Sequence, residues 1–324
     1  MKKRSLITAA ILAACTAFAP VQAQTPDLKG KTIKLVVPAP PGSAPDVIAR
    51  IVSEHMRVQL GATFVIENKA GAGGMIAVNP VKSAPADGLT LLFTQGAVVA
   101  ISPLTFKEAK FDFERDFETV ATIAHTPMLL VANPTKGPAS LKEALDAAKA
   151  KPDTVSLGNP VRTSIPHLAA EMMGQKVSVK FQQVPMGTTG AGIQAVVNGD
   201  IQMYIDGVAP LMPMVKAGRV KALAVTANQV LPGLEGIPLA KDVVPDLNVS
   251  GWFAIFAPKG TPNAIVQLLN NAANKAIADT ETVAKMRNLG TYPLPGTTVE
   301  ALAYVKKEKA LWADVVRQSG IQAE

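Results

Sequence analysis

Cysteine occurs once in the 324 residues, at Cys15, so no intrachain disulfide can form and nothing beyond that position does thiol chemistry. Histidine is nearly as scarce. His55, His125 and His167 stand far apart, in no His-x-x-His or Cys/His spacing, which argues against a histidine-based metal site. No cofactor is implied. There is no Gly-x-Ser-x-Gly elbow and no nucleophile with a local base signature; a triad assembled only in space stays open. The turn Gly71-Ala72-Gly73-Gly74 lacks the Gly-Lys-Ser/Thr ending of a phosphate loop, and no acid follows at dinucleotide-fold spacing, so it reads as structural. Aromatic residues are 5% of the chain and the formal charge of +7 is spread along it, so no basic stripe with interleaved aromatics points to nucleic acid. Beyond the N-terminus no apolar run approaches bilayer length.

What is present begins with an export signal. Lys2, Lys3 and Arg4 precede the apolar stretch Leu6 to Phe18, and Val21-Gln22-Ala23 offers a small-residue cleavage site before Gln24, so residues 1–23 read as a secretory signal peptide. Leu12-Ala13-Ala14-Cys15 is a rival lipoprotein box that would leave Cys15 lipidated. The three signal charges account for part of the +7 and leave +4 on the rest. A mature chain of about 300 residues exceeds one ordinary core and implies two domains.

The stretch Lys31 to Leu60 organises the remainder. Ile33, Leu35, Val36 and Val37 form a short buried strand that stops at Pro38. Pro38, Pro40, Pro41 and Pro45 then stiffen a loop that continues neither strand nor helix. Val47, Ile48, Ile51, Val52, His55 and Met56 return at helical spacing, with Ser43 and Asp46 placed as a capping box. A helix start whose first N–H groups lack partners, at the carboxyl end of a strand, invites a small anion. Strand and helix alternate from there on, which predicts an α/β fold with mainly parallel strands and no internal repeat. Within it, Val177 to Val184 reads as a strand, Pro127 to Ala132 as a strand, and Leu231 to Pro245 as a surface connection.

A second unit of the same kind is SLGNPVRTSIPHLAAEMMG, after Val155. Thr163 and Ser164 supply hydroxyls and N–H groups at its helix start, and Pro166 suits the first turn. Arg162 gives a guanidinium able to take a carboxylate in two parallel bonds, or is an exposed loop arginine. His167 either packs in that first turn or hydrogen-bonds the loop, and His55 reads as helix packing. Gln95-Gly96-Ala97 is another loop at a strand end, and Asp206 either faces the same cleft or caps the following turn.

Taken together, PAPPGSAPDVIAR, ENKAGAGGMIA, APADGLTLL, SLGNPVRTSIPHLAAEMM, MVKAGRVKALAVTA, GWFAIFAPKGTP and WADVVRQSGI resemble, in collinear order from about Lys31 to the C-terminus, the Bug family. These are extracytoplasmic solute-binding proteins of tripartite tricarboxylate transporters. The resemblance implies a type II, flytrap-like two-domain periplasmic binding protein with two crossing strands. Pro127 to Ala132 and Gly251 to Pro258 are the candidates for these. The expected domains are 24–126 with 245–324, and 127–244. It further implies a monomer in the periplasm that binds a small organic carboxylate and serves membrane transporter subunits. Carried over, the ligand contacts are Pro40, Pro41, Gly42, Ser43, Ala44 and Asp46 of the first loop. The second loop supplies Gly158, Asn159, Arg162, Thr163 and Ser164, with His167, and Gln95 and Asp206 complete the set. The family's first loop usually pairs glycines after the prolines, where this chain has Gly42-Ser43; its second usually has glycines near Val161 and Thr163. With that bulk beside it, Arg162 favours a second carboxylate, hence a diacid. A sensor signalling to a membrane partner is the alternative function, and a secreted hydrolase a weaker third.

Overall fold

The computed structural model describes residues 27–323; the expected signal peptide and Cys15 lie outside them. Strands β1 (Thr32–Val37), β2 (Thr63–Asn68) and β3 (Thr90–Gln95) alternate with helices α1 (Ala44–Leu60) and α2 (Met75–Lys82). Three short helices, α3 (Gly96–Ala100), α4 (Ser102–Thr105) and α5 (Phe113–Asp116), lead into the long strand β4 (Phe117–Ala132). A second alternation follows: α6 (Leu141–Ala150), β5 (Ser156–Asn159), α7 (Ile165–Val177), β6 (Gln182–Pro185), α8 (Thr189–Asn198), β7 (Met203–Gly207), α9 (Val208–Lys216) and β8 (Lys221–Val225). The chain returns through β9 (Ser250–Pro258), α10 (Asn263–Ala278), α11 (Thr280–Asn288), β10 (Tyr292–Pro293) and α12 (Thr298–Ser319).

Helix α1 shows how pattern becomes packing. Ile48, Ala49, Val52, Met56 and Leu60 recur every three or four residues and are buried against Ile33, Leu35, Leu91 and Phe93. Full burial of each large aliphatic side chain is worth about 1.5–3 kcal/mol, which outweighs the helix's modest intrinsic propensity. The helix stops at Gly61, held at φ 59°.

The sheet order is β2-β1-β3-β9-β4-β7-β5-β6, with β8 and β10 also on β4. Parallel pairing joins β1 to β2 and β3, and β5 to β6 and β7. Every pair involving β4 or β9 is antiparallel, so the expectation of mainly parallel strands is corrected to a mixed sheet. β4 is also longer than the Pro127–Ala132 segment expected. It pairs with β9 from Phe117 to Pro127 and with β7 from Met128 to Ala132, so it crosses from one half to the other, and β9 starts at that seam.

Two further expectations change. The proposed strand Val177 to Val184 is largely helix and loop, because α7 runs to Val177 and closes on left-handed Ser178, leaving only Gln182–Pro185 extended. The segment from Leu231 to Pro245 is no mere surface connection, since Leu231, Leu234, Ala240 and Val244 are buried; its prolines and glycines exclude a ladder but not packing. Near the C-terminus, Trp312, Val315 and Val316 of α12 share a core with Leu168, Ala169 and Met172 of α7.

Gly96 sits where β3 hands over to α3, and a Cβ there would overlap Nε1 of the fully buried Trp252. Overpacking of this kind costs about 1–3 kcal/mol. Gly96→Ala is expected to lower the urea midpoint accordingly at unchanged m-value; an unshifted midpoint would mean that the indole yields freely.

Candidate ligand-binding cleft

Strand directions bring the two prolines-and-serine loops together. β3 ends at Gln95, opposite Phe253 of β9, which is opposite Ala124 of β4. β7 ends at Gly207, opposite Met128 of β4. The two strands run in opposite senses, so their carboxyl ends meet four residues apart on β4. β1 is parallel to β3 and β5 to β7, which carries the loop after β1 and the loop after β5 to that seam. Crevices outside carboxyl strand ends are where open α/β sheets take ligands. Ile165, the first residue of α7, lies against Gly251 at the start of β9, where a Cβ would stand 4.0 Å from Ile165 Cδ1 and 3.7 Å from Met128 Cε.

In the first loop Pro40, Pro41, Gly42 and Ala44 are exposed and Ser43 is half-buried. Ser43 does not close a capping box. Its Oγ donates to the Pro40 carbonyl (2.6 Å) and its N–H to the same oxygen (3.3 Å). Asp46, expected to touch ligand, is instead 2% exposed and turned into the loop. It accepts from the Gly42 N–H (2.8 Å), Asn68 Nδ2 (2.9 Å) and Arg50 Nε (3.1 Å). Burial pushes its carboxyl up, but the Arg50, Gly42 and Asn68 donors outweigh burial and hold it below the usual carboxylate range. Asn68 Nδ2 also donates to the Ala39 carbonyl (3.0 Å), so the end of β2 clamps the loop.

The second loop makes the same turn with other residues. Gly158 and Asn159 belong to β5 and are buried, so the loop proper is 160–164. Ser164 Oγ and N–H donate to the Val161 carbonyl at 2.6 and 3.3 Å, as Ser43 does to Pro40. Thr163 sits at φ 60° where Gly42 sits at φ 77°, and its N–H donates to His167 Nδ1 (3.2 Å) where that of Gly42 donates to Asp46. Pro45 and Pro166 occupy the second position of their helices. Neither carries an N–H. The Ala44 and Ile165 N–H groups take no acceptor among the described residues, which leaves a donor at each helix start where the dipole favours an anion.

His167 is thus the loop-bonding alternative of the two expected. It is 5% exposed, and burial, helped by the Arg162 charge, pushes its pKa down to about 4. Arg162 is exposed and forms no ion pair among the described residues. Asp206 is buried, accepting from Thr189 Oγ1 (2.8 Å), the Gly207 N–H (2.8 Å) and Tyr204 Oη (3.1 Å). Burial pushes its carboxyl up despite those donors; it ties the start of α8 to β7. Gln95 Oε1 and Asn159 Oδ1 are buried without a partner among the described residues; Asn159 Nδ2 donates to Gln183 Oε1 at 3.3 Å. The sequence reading missed Arg50 and Asn68, for which the i,i+4 spacing to Asp46 and the matched ends of β1 and β2 are the available signals. His55 is half-buried on α1, its Nδ1 2.8 Å from Gln59 Nε2.

The unfolded imidazole titrates near 6.5, so as pH falls from there to about 4 the unfolded chain gains a proton the folded one refuses. Stability is expected to drop across that window by at most about 3 kcal/mol and to level off below it. His167→Asn keeps an acceptor for the Thr163 N–H and has no proton to gain, so its acid loss is expected to be smaller in denaturant titrations at successive pH values. A variant that tracks the parent across the window would place the loss elsewhere.

Comparison with known proteins bears on the fold and the family. Residues 48–321 match the family described as "Tripartite tricarboxylate transporter family receptor". Protein BugT of Bordetella pertussis is 28% identical over 304 residues, covering 93% of each chain. The solved structure of Rpa4515 of R. palustris with adipate has a TM-score of 0.78 at 28% identity, covering 91% of this chain and 99% of that one. That of MatC from Rhodopseudomonas palustris with bound malate has a TM-score of 0.72 at 28% identity, covering 88% and 99%. With the two-domain periplasmic-binding-protein fold in place, the chain belongs to the tripartite tricarboxylate transporter receptor family, which includes the Bug proteins.

Proposed function

We propose that this chain is exported to the periplasm, captures a small organic carboxylate between its two serine-proline loops, and hands it to the membrane subunits of a tripartite transporter. The observation that carries the reading is the repeated turn: one hydrogen-bond pattern, built twice, with a helix start behind each copy at one seam. A ligand with a carboxylate at each end engages both helix starts, and that extra contact stabilises the closed form. A ligand touching one loop alone would shift nothing. Dicarboxylates are therefore the preferred class, and the adipate and malate held by the two R. palustris relatives support it. Arg162, exposed on the second loop and without an ion pair among the described residues, is assigned to the second carboxylate. The lobes are 24–126 with 245–324, and 127–244, hinged where β4 changes partners. Both loops come from one chain, so the site needs no second copy, and the protein works as a monomer. Its action is capture and release without turnover.

The test is a thermal-shift panel on ligand-stripped protein with C4 to C6 dicarboxylates, their monoamides and matched monocarboxylates. A ligand at 100 times its dissociation constant adds about 2.7 kcal/mol of stability. A dicarboxylate is expected to raise the midpoint and its monoamide to do so much less. Arg162→Ala is expected to weaken dicarboxylate binding by about tenfold or more, the scale of a lost charged hydrogen bond, and to leave monocarboxylates unchanged. A broad panel without any stabilising acid would overturn the carboxylate reading.

A further inference from the structure

The hinge carries a cavity that the carboxylate cleft does not use. It measures about 460 Å³, within the range of small-molecule pockets, and neither serine-proline loop lines it. Its walls come from His125 of β4, Ser250 of β9, Asn248 of the segment entering β9, and Tyr304, Lys307 and Glu308 of α12. His125 and Ser250 both lie in the last rungs of the β4–β9 ladder before the seam, Ser250 Oγ lying 3.5 Å from His125 Nδ1.

The chemistry inside is unbalanced. Glu308 is 9% exposed, and its Oε2 accepts from the indoles of both Trp252 and Trp312 at 3.0 Å. Those donors are neutral, and Oε1 takes no donor among the described residues. Burial pushes the carboxyl up despite the indole donors, and a cation at the open oxygen would favour its ionised form. Lys307 lines the same cavity and is exposed, yet forms no ion pair with Glu308 within 4 Å. The Tyr304 hydroxyl, packed edge-on to Trp252 through its ring, likewise has no hydrogen-bond partner among the described residues. A buried acid, a cation and the Asn248 amide toward the surface, and a phenol without a partner among the described residues make a site for a molecule that bears both charges.

We propose that this hinge cavity is a second binding site, for a small zwitterion of the α-amino-acid class. The ligand's ammonium pairs with Glu308 Oε1 and its carboxylate with Lys307. Because the walls include the strand on which the lobes turn, occupancy here and in the carboxylate cleft are linked, each ligand changing the affinity of the other by one shared factor.

The experiment is isothermal titration of the ligand-stripped full-length protein with L-alanine, L-leucine and L-glutamine, against propylamine and propionate as single-charge controls. At least one amino acid is expected to bind, with both controls at least tenfold weaker. Glu308→Gln keeps an oxygen for the two indoles and replaces Oε1 by a donor, so amino-acid affinity is expected to fall tenfold or more. Asn248→Trp, which fills the mouth from an exposed loop and leaves Glu308 untouched, is expected to do the same. Both variants are expected to retain the dicarboxylate response, and Ala44→Trp, which obstructs the other cleft, to lose it while still binding the amino acid. Absence of amino-acid binding to the parent protein, full binding by Asn248→Trp, or loss of it in Ala44→Trp would each overturn the proposal. The dicarboxylate response of the same preparations reports on the carboxylate site separately.

Discussion

A strand that runs through two sheets has to find a partner for each of its buried N–H and C=O groups, and β4 does so by changing partners at Pro127. Proline has no N–H, so the step from β9 to β7 falls where the ladder requires one bond fewer. Much else follows from that step. β3 and β7 approach β4 from opposite directions, their carboxyl ends meet at it, and the loops that follow the parallel strands of each half face one another. The cleft is a consequence of topology before any side chain enters it.

The two loops then solve one backbone problem with different residues. Each turn needs a residue in the left-handed region and an acceptor for that residue's N–H. Gly42 meets the first need without steric cost; Thr163 meets it at about 1–2 kcal/mol, offset by the hydroxyl and histidine bonds around it. The acceptors differ more. Asp46 is a carboxylate and is balanced by Arg50, which leaves the first loop near neutrality. His167 is kept neutral by burial, so the Arg162 charge on the second loop is not cancelled in the same way. The second loop therefore carries a cation that forms no ion pair among the described residues.

Those loops were legible because their signals are local: a short β-branched strand, prolines that stop it, a serine two residues before a proline, an apolar helical face. The length of β4 was not, since Phe117 to Thr126 mixes alanine, threonine and histidine and ends on a proline that usually marks a strand boundary. Strand direction was illegible for another reason, because it depends on which strands become neighbours. The twin turn also escaped: PAPPGSAPD and NPVRTSIPH share little beyond Ser-x-Pro, and the correspondence lies in backbone angles and hydrogen bonds. Asp46 shows the limit most sharply. A carboxylate in the first turn suits a ligand hydroxyl and a loop N–H equally well, and only the third dimension brings Asn68 and Arg50 to it.

One buried acid connects elements that stand behind the two loops. Trp252 covers Gly96, directly after the cleft end of β3, while Trp312 packs into the core shared with α7 behind the second loop. Glu308 holds both indoles on a single oxygen. An apolar side chain of similar volume would fill that space, and such replacements are often neutral or stabilising, so packing alone does not account for a carboxylate here. What the carboxylate adds is direction: two N–H bonds on one atom set the register of α12 against β9 and against α7 at the same time. Because α12 packs on both α3 and α7 near the step in β4, that register fixes the elements behind the two loops relative to one another.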